Sequence, residues 1–376
     1  MEHLTQPDPV PSMRTPPTNV TAHVRDRLRH AFVQGLKGSG ALRGARAQIA
    51  KEGTLVLMLH RVIPDNALPV CRSPRGMVMR ESAFRSMMDY LRQHTSLITP
   101  GDFLLRPKDE KRPRVMVTFD DGWADNYAVA APVLEAQGAR ACFFVVTEYA
   151  GMPHPFWPER LLGLLRVLQK NGRGDLIEPM LNAIALKLEH PHPSGRHLQE
   201  EQLLKWMKQF SAAKIGVAID GAVRNLESIW RTDTLDPLER LMTWDELRSL
   251  AHRGHRIASH TATHALLTTI AAQEMVTQLR GSAVALETQL KEECASFDWI
   301  AYPNGNVDAR VRKAAVLNGY RFGFTTSAGI WRSNGDMLNI PRVNVWDGSV
   351  LSAEGEFDES YLEYSLFWRP LRSRRR

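Results

Sequence analysis

With 376 residues, of which 43% are hydrophobic and 24% charged, the chain can fold around a sizeable core, which excludes an intrinsically disordered protein. It contains no continuous apolar run long enough for a transmembrane helix, and its three cysteines form no C-x-x-C pair. The first twenty residues are polar and proline-rich, unlike a secretory signal, so we expect a cytoplasmic protein.

Basic residues are concentrated at the two ends of the chain, although the net charge is only +7. Residues 23–51 hold seven Lys and Arg against one acid, and residues 369–376 hold five Arg against none. Leucine and aromatic residues accompany these arginines, a composition typical of peripheral contact with an anionic membrane, here at its inner face. A solvated basic tail explains the same charges equally well. No nucleic-acid-binding motif accompanies them, so we expect no nucleic-acid partner.

Apolar segments rich in β-branched or aromatic residues alternate along the chain with amphipathic segments of helical period. The predicted strands are residues 55–60, 115–119, 141–146, 256–259, 299–302, 321–325 and 338–345. The predicted helices between them are residues 81–94, 126–137, 243–253, 271–293 and 308–318. This alternation is typical of α/β proteins with a parallel sheet, and seven strands predict a barrel.

Residues 148–242 interrupt the alternation, because they contain helical patterns but no convincing strand. The helices predicted there are residues 158–169, 176–188 and 199–210. We therefore expect a barrel with a helical insertion between a basic N-terminal extension and a basic C-terminal tail. The corresponding ranges are 1–54 for the extension, 55–352 for the barrel, 148–242 for the insertion and 353–376 for the tail.

Two adjacent carboxylates, Asp120 and Asp121, follow the predicted strand 115–119 and precede a glycine. Catalytic groups of parallel α/β folds lie at the carboxyl ends of strands, so both side chains are candidates. Adjacent carboxylates repel unless a cation or hydrogen bonds compensate, which indicates a metal ligand beside a base. Taken alone, the same pattern is equally typical of a turn or a helix N-cap.

Two histidines, His260 and His264, follow the predicted strand 256–259 and lie four residues apart. If the chain turns helically there, this spacing brings both imidazoles to one side, as metal ligands require. A lone H-x-x-x-H pair is more often structural. Together with the Asp pair, it favours a site with two histidines, one carboxylate and open positions for water and substrate.

The combination of Thr-Phe-Asp-Asp-Gly at 118–122 with Ser-His-Thr-x-x-His at 259–264 resembles the motif pair of the polysaccharide deacetylases, carbohydrate esterase family 4. The resemblance covers roughly residues 55–345 apart from the insertion, and it implies a distorted (β/α)7 barrel. It also implies a metal-dependent hydrolase that removes an N-acetyl group from an aminosugar-containing glycan or glycan precursor. By this resemblance Asp120 is the general base, and Asp121, His260 and His264 bind one divalent metal ion. Zinc is the usual ion, and such sites also accept cobalt, nickel or iron.

The segment Ile-Ala-Tyr-Pro-Asn-Gly at 300–305 resembles the groove-lining Y-P-x-G segment of this family. The resemblance implies that the backbone amide next to Tyr302 stabilises an oxyanion. The substrate-lining residues predicted on this basis are Tyr302, Pro303, Asn304 and Gly305, together with Trp123 after the Asp-Asp-Gly turn.

Many family members carry an arginine before this proline that pairs with the base, and here Ile300 and Ala301 occupy those positions. Arg342 lies in a Pro-Arg-Val segment similar to that of bacterial exopolysaccharide-type members, and we predict that it supplies the missing charge. The alternative is a surface arginine on an edge strand.

His60 ends the predicted strand 55–60 in the sequence Leu-His-Arg-Val. This segment resembles the Y-H-R-V opening of permuted members, in which an early histidine is the general acid, although Leu59 stands where tyrosine is common. A structural histidine at a strand end is the alternative.

Two other functions remain open. One is a deformylase or deacylase that acts on a lipid-linked aminosugar, because the motifs do not distinguish the acyl group. The other is a catalytically inactive, sugar-binding barrel, because the usual arginine is absent. Metal content would separate the inactive barrel from the enzymes.

Overall fold

The computed structural model describes most of the chain as helices packed around one main sheet. It describes residues 20–105, 111–152, 156–193, 200–210, 212–224, 238–293 and 296–372. The strands are β1 Thr54–Leu59, β2 Arg61–Ile63, β3 Val78–Arg80, β4 Ser96–Leu97, β5 Arg114–Phe119, β6 Ala141–Val145, β7 Arg256–Ser259, β8 Trp299–Ala301, β9 Phe322–Phe324 and β10 Val343–Asn344.

The helices follow the strands in the alternation that the sequence predicts. They are α1 Val20–Gly38, α2 Ala41–Glu52, α3 Glu81–His94, α4 Ala131–Ala136, α5 Trp157–Lys170, α6 Ile177–Leu188, α7 Glu200–Met207, α8 Ala212–Arg224, α9 Trp244–His252, α10 Ala272–Leu290, α11 Ala309–Leu317, α12 Asp347–Val350, α13 Glu359–Glu363 and α14 Arg369–Arg372. Helix α9 begins with a capping box, in which Thr243 and Glu246 each accept a hydrogen bond from the other's backbone N–H.

The main sheet is parallel, with strand order β10-β1-β5-β6-β7-β8-β9 and with β4 paired to β5. A parallel bridge between Phe324 and Ile340 brings its two edges towards each other. The sheet therefore curls into a distorted (β/α) barrel, which confirms the predicted fold class. Strands β1, β5 and β6 are buried along their whole length, and this explains their continuous apolar sequences.

The last predicted strand, 338–345, is much shorter in the structure, where only Val343–Asn344 pairs with β1. Pro341 lacks a backbone N–H and cannot donate to a ladder, which accounts for the shortening. Strands β2, β3 and β4 were not predicted, because elements of two or three residues carry no measurable periodicity.

Helices α5–α8 lie within the predicted insertion and surround an apolar cluster of their own. Its fully buried members include Leu161, Leu162, Ile184, Met207 and Ile219. Helix α8 was not predicted, although its apolar residues recur at helical spacing. The insertion therefore buries its apolar faces internally, while the start of α5 remains available to contact the barrel.

Helices α1 and α2 pack against the C-terminal helices of the barrel. Their buried side chains are Val33, Leu42, Ala45 and Ile49. Arg29 donates to the carbonyl of Gly348 over 2.9 Å, and Arg46 pairs with Glu363 over 2.8 Å. The basic residues of the N-terminal end therefore lie on α1 and α2, and Arg369 and Arg372 lie on α14. Residues 1–19 and 373–376 lie outside the described residues. None of the described helices combines the length and apolar character that a membrane span requires.

Candidate active site

The two adjacent carboxylates lie in a tight turn at the carboxyl end of β5. Asp120 continues the strand pairing, since its N–H donates to the carbonyl of Leu59 over 2.9 Å. Asp121 and Gly122 then take positive φ values of 75° and 89° and reverse the chain direction. A Cβ atom at Gly122 would lie 3.1 Å from Val145 Cγ1, so both the conformation and the space favour glycine. Asp120 and Asp121 are buried, with exposed fractions of 2% and 4%.

Asp121, His260 and His264 come together as a set of possible metal ligands. One donor atom from each lies within 4.8 Å of the others. Asp121 Oδ1 is 3.5 Å from His260 Nε2 and 3.6 Å from His264 Nε2. Donors of a tetrahedral site with bonds of about 2.0–2.1 Å are about 3.4 Å apart, so these three residues fit one divalent cation. His260 Nδ1 lies 2.8 Å from the carbonyl of Ala301, which leaves its Nε2 for a ligand.

A helical turn does not bring the two imidazoles together, contrary to the expectation from their spacing. Residues 261–264 form an irregular loop, in which Thr261 and His264 have left-handed φ values of 67° and 62°. Side chains hold this loop, because Ser259 Oγ accepts from the N–H of Thr261 over 3.1 Å and Gln278 Oε1 accepts from that of Thr263 over 2.9 Å. The pairing of the imidazoles therefore depends on tertiary hydrogen bonds.

The environment keeps His264 in its neutral form. Desolvation and the neighbouring His260 lower the pKa of His264 to about 4, and the opposing attraction of Asp121 is smaller. The ring of Phe156, just before α5, lies 5.4 Å from the His264 ring and contributes to its apolar surroundings. At neutral pH His264 thus offers a free lone pair, which coordination to a metal requires.

Arg342 directly precedes the edge strand β10 and contacts Asp120 at the end of the inner strand β5. Its Nη1 and Nη2 atoms donate to the two carboxylate oxygens over 2.6 and 2.7 Å, a bidentate pair. Nε donates to the carbonyl of Thr325 over 2.9 Å, and the side chain is fully buried. Burial alone would raise the pKa of Asp120, but Arg342 and the nearby imidazoles lower it to about 2. Asp120 is therefore an ionised carboxylate held in one orientation.

His60 lies between β1 and β2 beside the same carboxylate. His60 and Asp120 directly follow Leu59 and Phe119, which pair in the neighbouring strands β1 and β5, so the two residues lie side by side at the carboxyl ends of these strands. Its Nδ1 is buried and makes no hydrogen bond within the described part of the chain. Asn126 Nδ2 donates to the His60 carbonyl over 2.8 Å and ties this residue to the loop after the Asp pair. His60 is thus a half-buried histidine with unused hydrogen-bonding capacity next to Asp120 in the strand register.

The 302–305 segment differs from expectation at its backbone donor. The N–H of Tyr302 is already bonded to the carbonyl of Phe324 over 3.0 Å, and Pro303 has no N–H. Gly305 donates to the Tyr302 carbonyl over 2.7 Å, while the exposed Asn304 has a left-handed φ of 56°. Among these four positions, only the N–H of Asn304 makes no backbone hydrogen bond. Asn304 therefore replaces Tyr302 as the candidate oxyanion donor.

Trp123 does not line a substrate groove, contrary to the sequence-based prediction. Its side chain has no exposed surface, so a sugar ring cannot stack on it. Its Nε1–H donates to Asp121 Oδ2 over 3.2 Å, and its ring lies 4.1 Å from the guanidinium of Arg61. Trp123 therefore lies in the protein core and contacts the possible metal ligand Asp121 from there.

A buried group of charged residues beside Trp123 escaped the sequence analysis. It consists of Arg61, Asp125, Glu159 and Glu239, each at most 3% exposed. Arg61 donates to Asp125 over 2.9 Å and to Glu239 over 2.8 Å. Arg61 could have been noticed in the sequence, because it is a charged residue between apolar residues next to His60. Glu159 carried no such signal, because its burial depends on how α5 docks.

Glu159 should make the stability of the metal-free protein dependent on pH. Burial, reinforced by the charge of Asp121, raises the pKa of Glu159 from 4.5 to about 8. Because the folded state holds this proton more tightly than the unfolded state, the contribution of Glu159 to stability is greatest below pH 4.5 and is lost as the pH rises through about 8. Glu159→Gln should therefore increase the free energy of unfolding by roughly 2–4 kcal/mol at pH 8.5 and change it little at pH 4. Denaturant unfolding at both pH values tests this. Glu292→Gln, at an exposed position, is the control, and an equal effect in the two variants would contradict the burial argument.

Carboxylates and imidazoles at the carboxyl ends of strands in a (β/α) barrel define an enzyme architecture. Comparison with known sequences gives the family. The sequence model described as "Polysaccharide deacetylase" matches residues 107–183 and 195–323, more than half of the chain, and the chain therefore belongs to the polysaccharide deacetylase family. Members of this family are hydrolases that remove N-acetyl groups from carbohydrates.

Individual relatives agree with this assignment. YxkH of Bacillus subtilis (strain 168), named as a polysaccharide deacetylase, is 23% identical over 309 residues, which cover 81% of this chain and 76% of that protein. The Streptococcus pyogenes deacetylase PplD, solved in complex with acetate, superposes with a TM-score of 0.52 and 15% identity, covering 84% of this chain and 98% of its own. BA0330 of Bacillus anthracis gives 0.50 and 16%, covering 84% of this chain and 69% of its own. At these identities the two structures support the fold.

Proposed function

We propose that this chain is a metal-dependent hydrolase that removes an N-acetyl group from an aminosugar-containing glycan or glycan precursor and releases acetate. The observation that carries the proposal is the convergence of Asp121, His260 and His264 next to the arginine-held carboxylate of Asp120. Family membership supports the reaction class, and the donor set supports the metal. Two imidazoles and one carboxylate suit zinc best, and cobalt, nickel or iron are alternatives.

Each of these residues has a separate proposed role in amide hydrolysis. A divalent cation held by Asp121, His260 and His264 supplies Lewis acidity, which makes water more acidic and polarises an acyl carbonyl. Asp120 takes a proton from the attacking water, and Arg342 orients its two oxygens and keeps them ionised until that step. The new C–O bond forms as the carbonyl oxygen gains negative charge, and the N–H of Asn304, which makes no backbone hydrogen bond, is the proposed donor to this oxygen.

His60 completes the reaction as the general acid. When the C–N bond breaks, the sugar nitrogen needs a proton, and an imidazole can supply one near neutral pH. The position of His60 next to Asp120 in the strand register supports this role, together with its buried Nδ1, which makes no hydrogen bond within the described part of the chain. Acetate leaves, and the sugar retains a free amine.

The insertion is proposed to form one wall of the substrate site. Phe156 lies 5.4 Å from His264, so the start of α5 reaches the metal-ligand set from one side. Pro303, Asn304 and Gly305 approach from the end of β8, where a Cβ at Gly305 would lie only 2.3 Å from the N atom of Thr326. We propose that these two elements, and not Trp123, select the sugar.

Acetate release tests the proposed function. The purified protein is incubated with a panel of N-acetylated glycans and lipid-linked aminosugars, with and without a chelator. We expect acetate from at least one substrate, complete loss after chelation, and recovery after addition of zinc. Formate from an N-formyl substrate without acetate from its N-acetyl counterpart would favour the deformylase alternative. Absence of bound metal and of turnover would favour the inactive, sugar-binding barrel.

We further propose that the protein acts in the cytoplasm at the inner face of an anionic membrane. Two large side chains of α1, Leu28 and Phe32, are 67% and 52% exposed. A pocket of about 330 Å³ between α2, the end of α3 and residues 111–113 is lined by Arg43, Arg46, Lys111 and Arg112 together with Ala47, Gln93, His94 and Pro113. Exposed apolar side chains suit acyl chains, and clustered Arg and Lys suit anionic headgroups.

Vesicle flotation tests the membrane proposal. The protein should float with phosphatidylglycerol vesicles and not with phosphatidylcholine vesicles. Leu28→Gln/Phe32→Gln should weaken binding at least about tenfold, because two large apolar side chains lose their burial in the bilayer. The control is Leu186→Gln/Val217→Gln on the insertion, at positions 79% and 64% exposed. Failure of the wild-type protein to float with anionic vesicles would contradict the proposal.

A further inference from the structure

The two oxygens of Asp121 have different surroundings. Oδ1 faces the imidazoles of His260 and His264 at 3.5 and 3.6 Å. Oδ2 accepts a hydrogen bond from the indole N–H of Trp123 over 3.2 Å. The carboxylate lies on a residue with left-handed φ at the tip of a turn, so its orientation depends on this contact. A donor on Oδ2 turns Oδ1 towards the imidazoles.

We infer that Trp123 and Arg61 form a positioning pair that sets the affinity of Asp121 for its cation. The inference rests on the metal site of the proposed function. It assigns to Trp123 a role in metal binding, in place of the substrate contact that its position in the sequence indicates.

The chemistry of the donor distinguishes Asp121 from its neighbour. Asp120 is held by the cation Arg342, which neutralises it, whereas Asp121 is held by a neutral indole. A neutral donor fixes the orientation of a carboxylate and leaves its negative charge for a metal ion. The negative charge of Asp120 is therefore neutralised by its partner, whereas that of Asp121 is not.

Arg61 strengthens this arrangement without bonding to Asp121. Its guanidinium lies 4.1 Å from the centre of the Trp123 ring, where a cation draws electron density from the indole and makes its N–H a better donor. Three of the contacts that fix the guanidinium are to Asp125 at 2.9 Å, Glu239 at 2.8 Å and the Leu238 carbonyl at 2.7 Å. Arg61 is therefore fully buried with its donors engaged.

Two further contacts, one of the ring and one of the backbone, hold Trp123 in place. The ring of Phe156 meets Trp123 edge-on at 5.9 Å, and an antiparallel bridge joins the backbone of Trp123 to that of Leu241. Residues near both ends of the insertion thus contact one tryptophan. The orientation of the metal ligand consequently depends on how the insertion docks.

The variant Trp123→Phe removes the N–H donor and keeps an aromatic ring for Arg61 and Phe156. We expect the dissociation constant for zinc, measured by competition with a chromophoric chelator, to rise about 10–100-fold, as for other groups that orient metal ligands. The visible absorption of the cobalt-substituted protein should change, because the ligand field changes. Activity lost at trace zinc should return at saturating zinc, which a damaged fold would not allow.

Trp299→Phe is the matched control. Trp299 is 3% exposed and has Arg256 at 4.5 Å from its ring, so the packing loss is similar, but its ring packs on Phe103, Phe322 and Phe324. Its zinc affinity and cobalt spectrum should equal those of the wild type. Equal zinc affinity in Trp123→Phe and the wild type would overturn the inference alone. Absence of divalent-cation binding by the wild type would overturn the proposed function and the inference together.

Discussion

Replacing Asp120 with Asn should lower kcat/KM for acetate release by about 10³-fold and leave the zinc affinity within a few-fold of the wild type. The physical reason is that the proposed role of Asp120 is to accept the proton of the attacking water, whereas the proposed ligands are Asp121, His260 and His264. Steady-state acetate release and chelator competition on the same preparation measure the two quantities. Loss of metal together with activity would assign Asp120 to the ligand set instead.

This variant needs a control for stability. Asp120→Asn leaves the buried guanidinium of Arg342 without its carboxylate, which costs about 3–5 kcal/mol for a broken buried ion pair. The double variant Asp120→Asn/Arg342→Met removes the unpaired charge, so it should recover much of the lost stability. It should not recover activity. Recovery of turnover along with stability would show that Asp120 acts on folding and not on the reaction.

His264→Ala should weaken zinc binding by more than about 100-fold and abolish turnover at trace metal, because one of three ligands is lost. His264 has a left-handed φ of 62°, so alanine also introduces backbone strain. Asparagine adopts this conformation more readily and offers no imidazole, which makes His264→Asn the companion variant. Both variants should lose zinc to the same degree, as measured by metal content after dialysis.

An exposed histidine serves as the comparison for this loss. His252, at the end of α9, has a side chain that is 68% exposed, and it lies outside the ligand set. His252→Ala should retain full metal content and activity. Retention of metal by His264→Asn would contradict the assignment of His264 as a ligand and leave the donor set incomplete.

The sequence identified the elements whose signals are local. Strands β1, β5 and β6 are buried on both faces, so each leaves a continuous apolar run that needs no knowledge of its neighbours. The Asp pair lies directly after β5 and the His pair directly after β7, and parallel strands bring their carboxyl ends to one edge of the sheet. The barrel and the convergence of these four residues were therefore predictable.

Which hydrogen-bond donors pair with which acceptors at the site could be found only from the tertiary structure. The N–H of Tyr302 is taken by Phe324, which leaves Asn304, and no local pattern reveals that pairing. Similarly, the indole of Trp123 points inwards to Asp121 because Arg61 and Phe156 enclose it. A side chain next to a motif can face either the substrate or the core, and the packing of distant segments decides which.

Residue type and short spacing were enough to predict the family resemblance, the parallel barrel and the candidate active-site residues. The pairing of those residues follows from how distant segments pack. Arg342 meets Asp120 across 222 positions, and Glu159 becomes a buried acid through the docking of α5. Such pairings are set by which surfaces exclude water together, and that is a property of the folded chain.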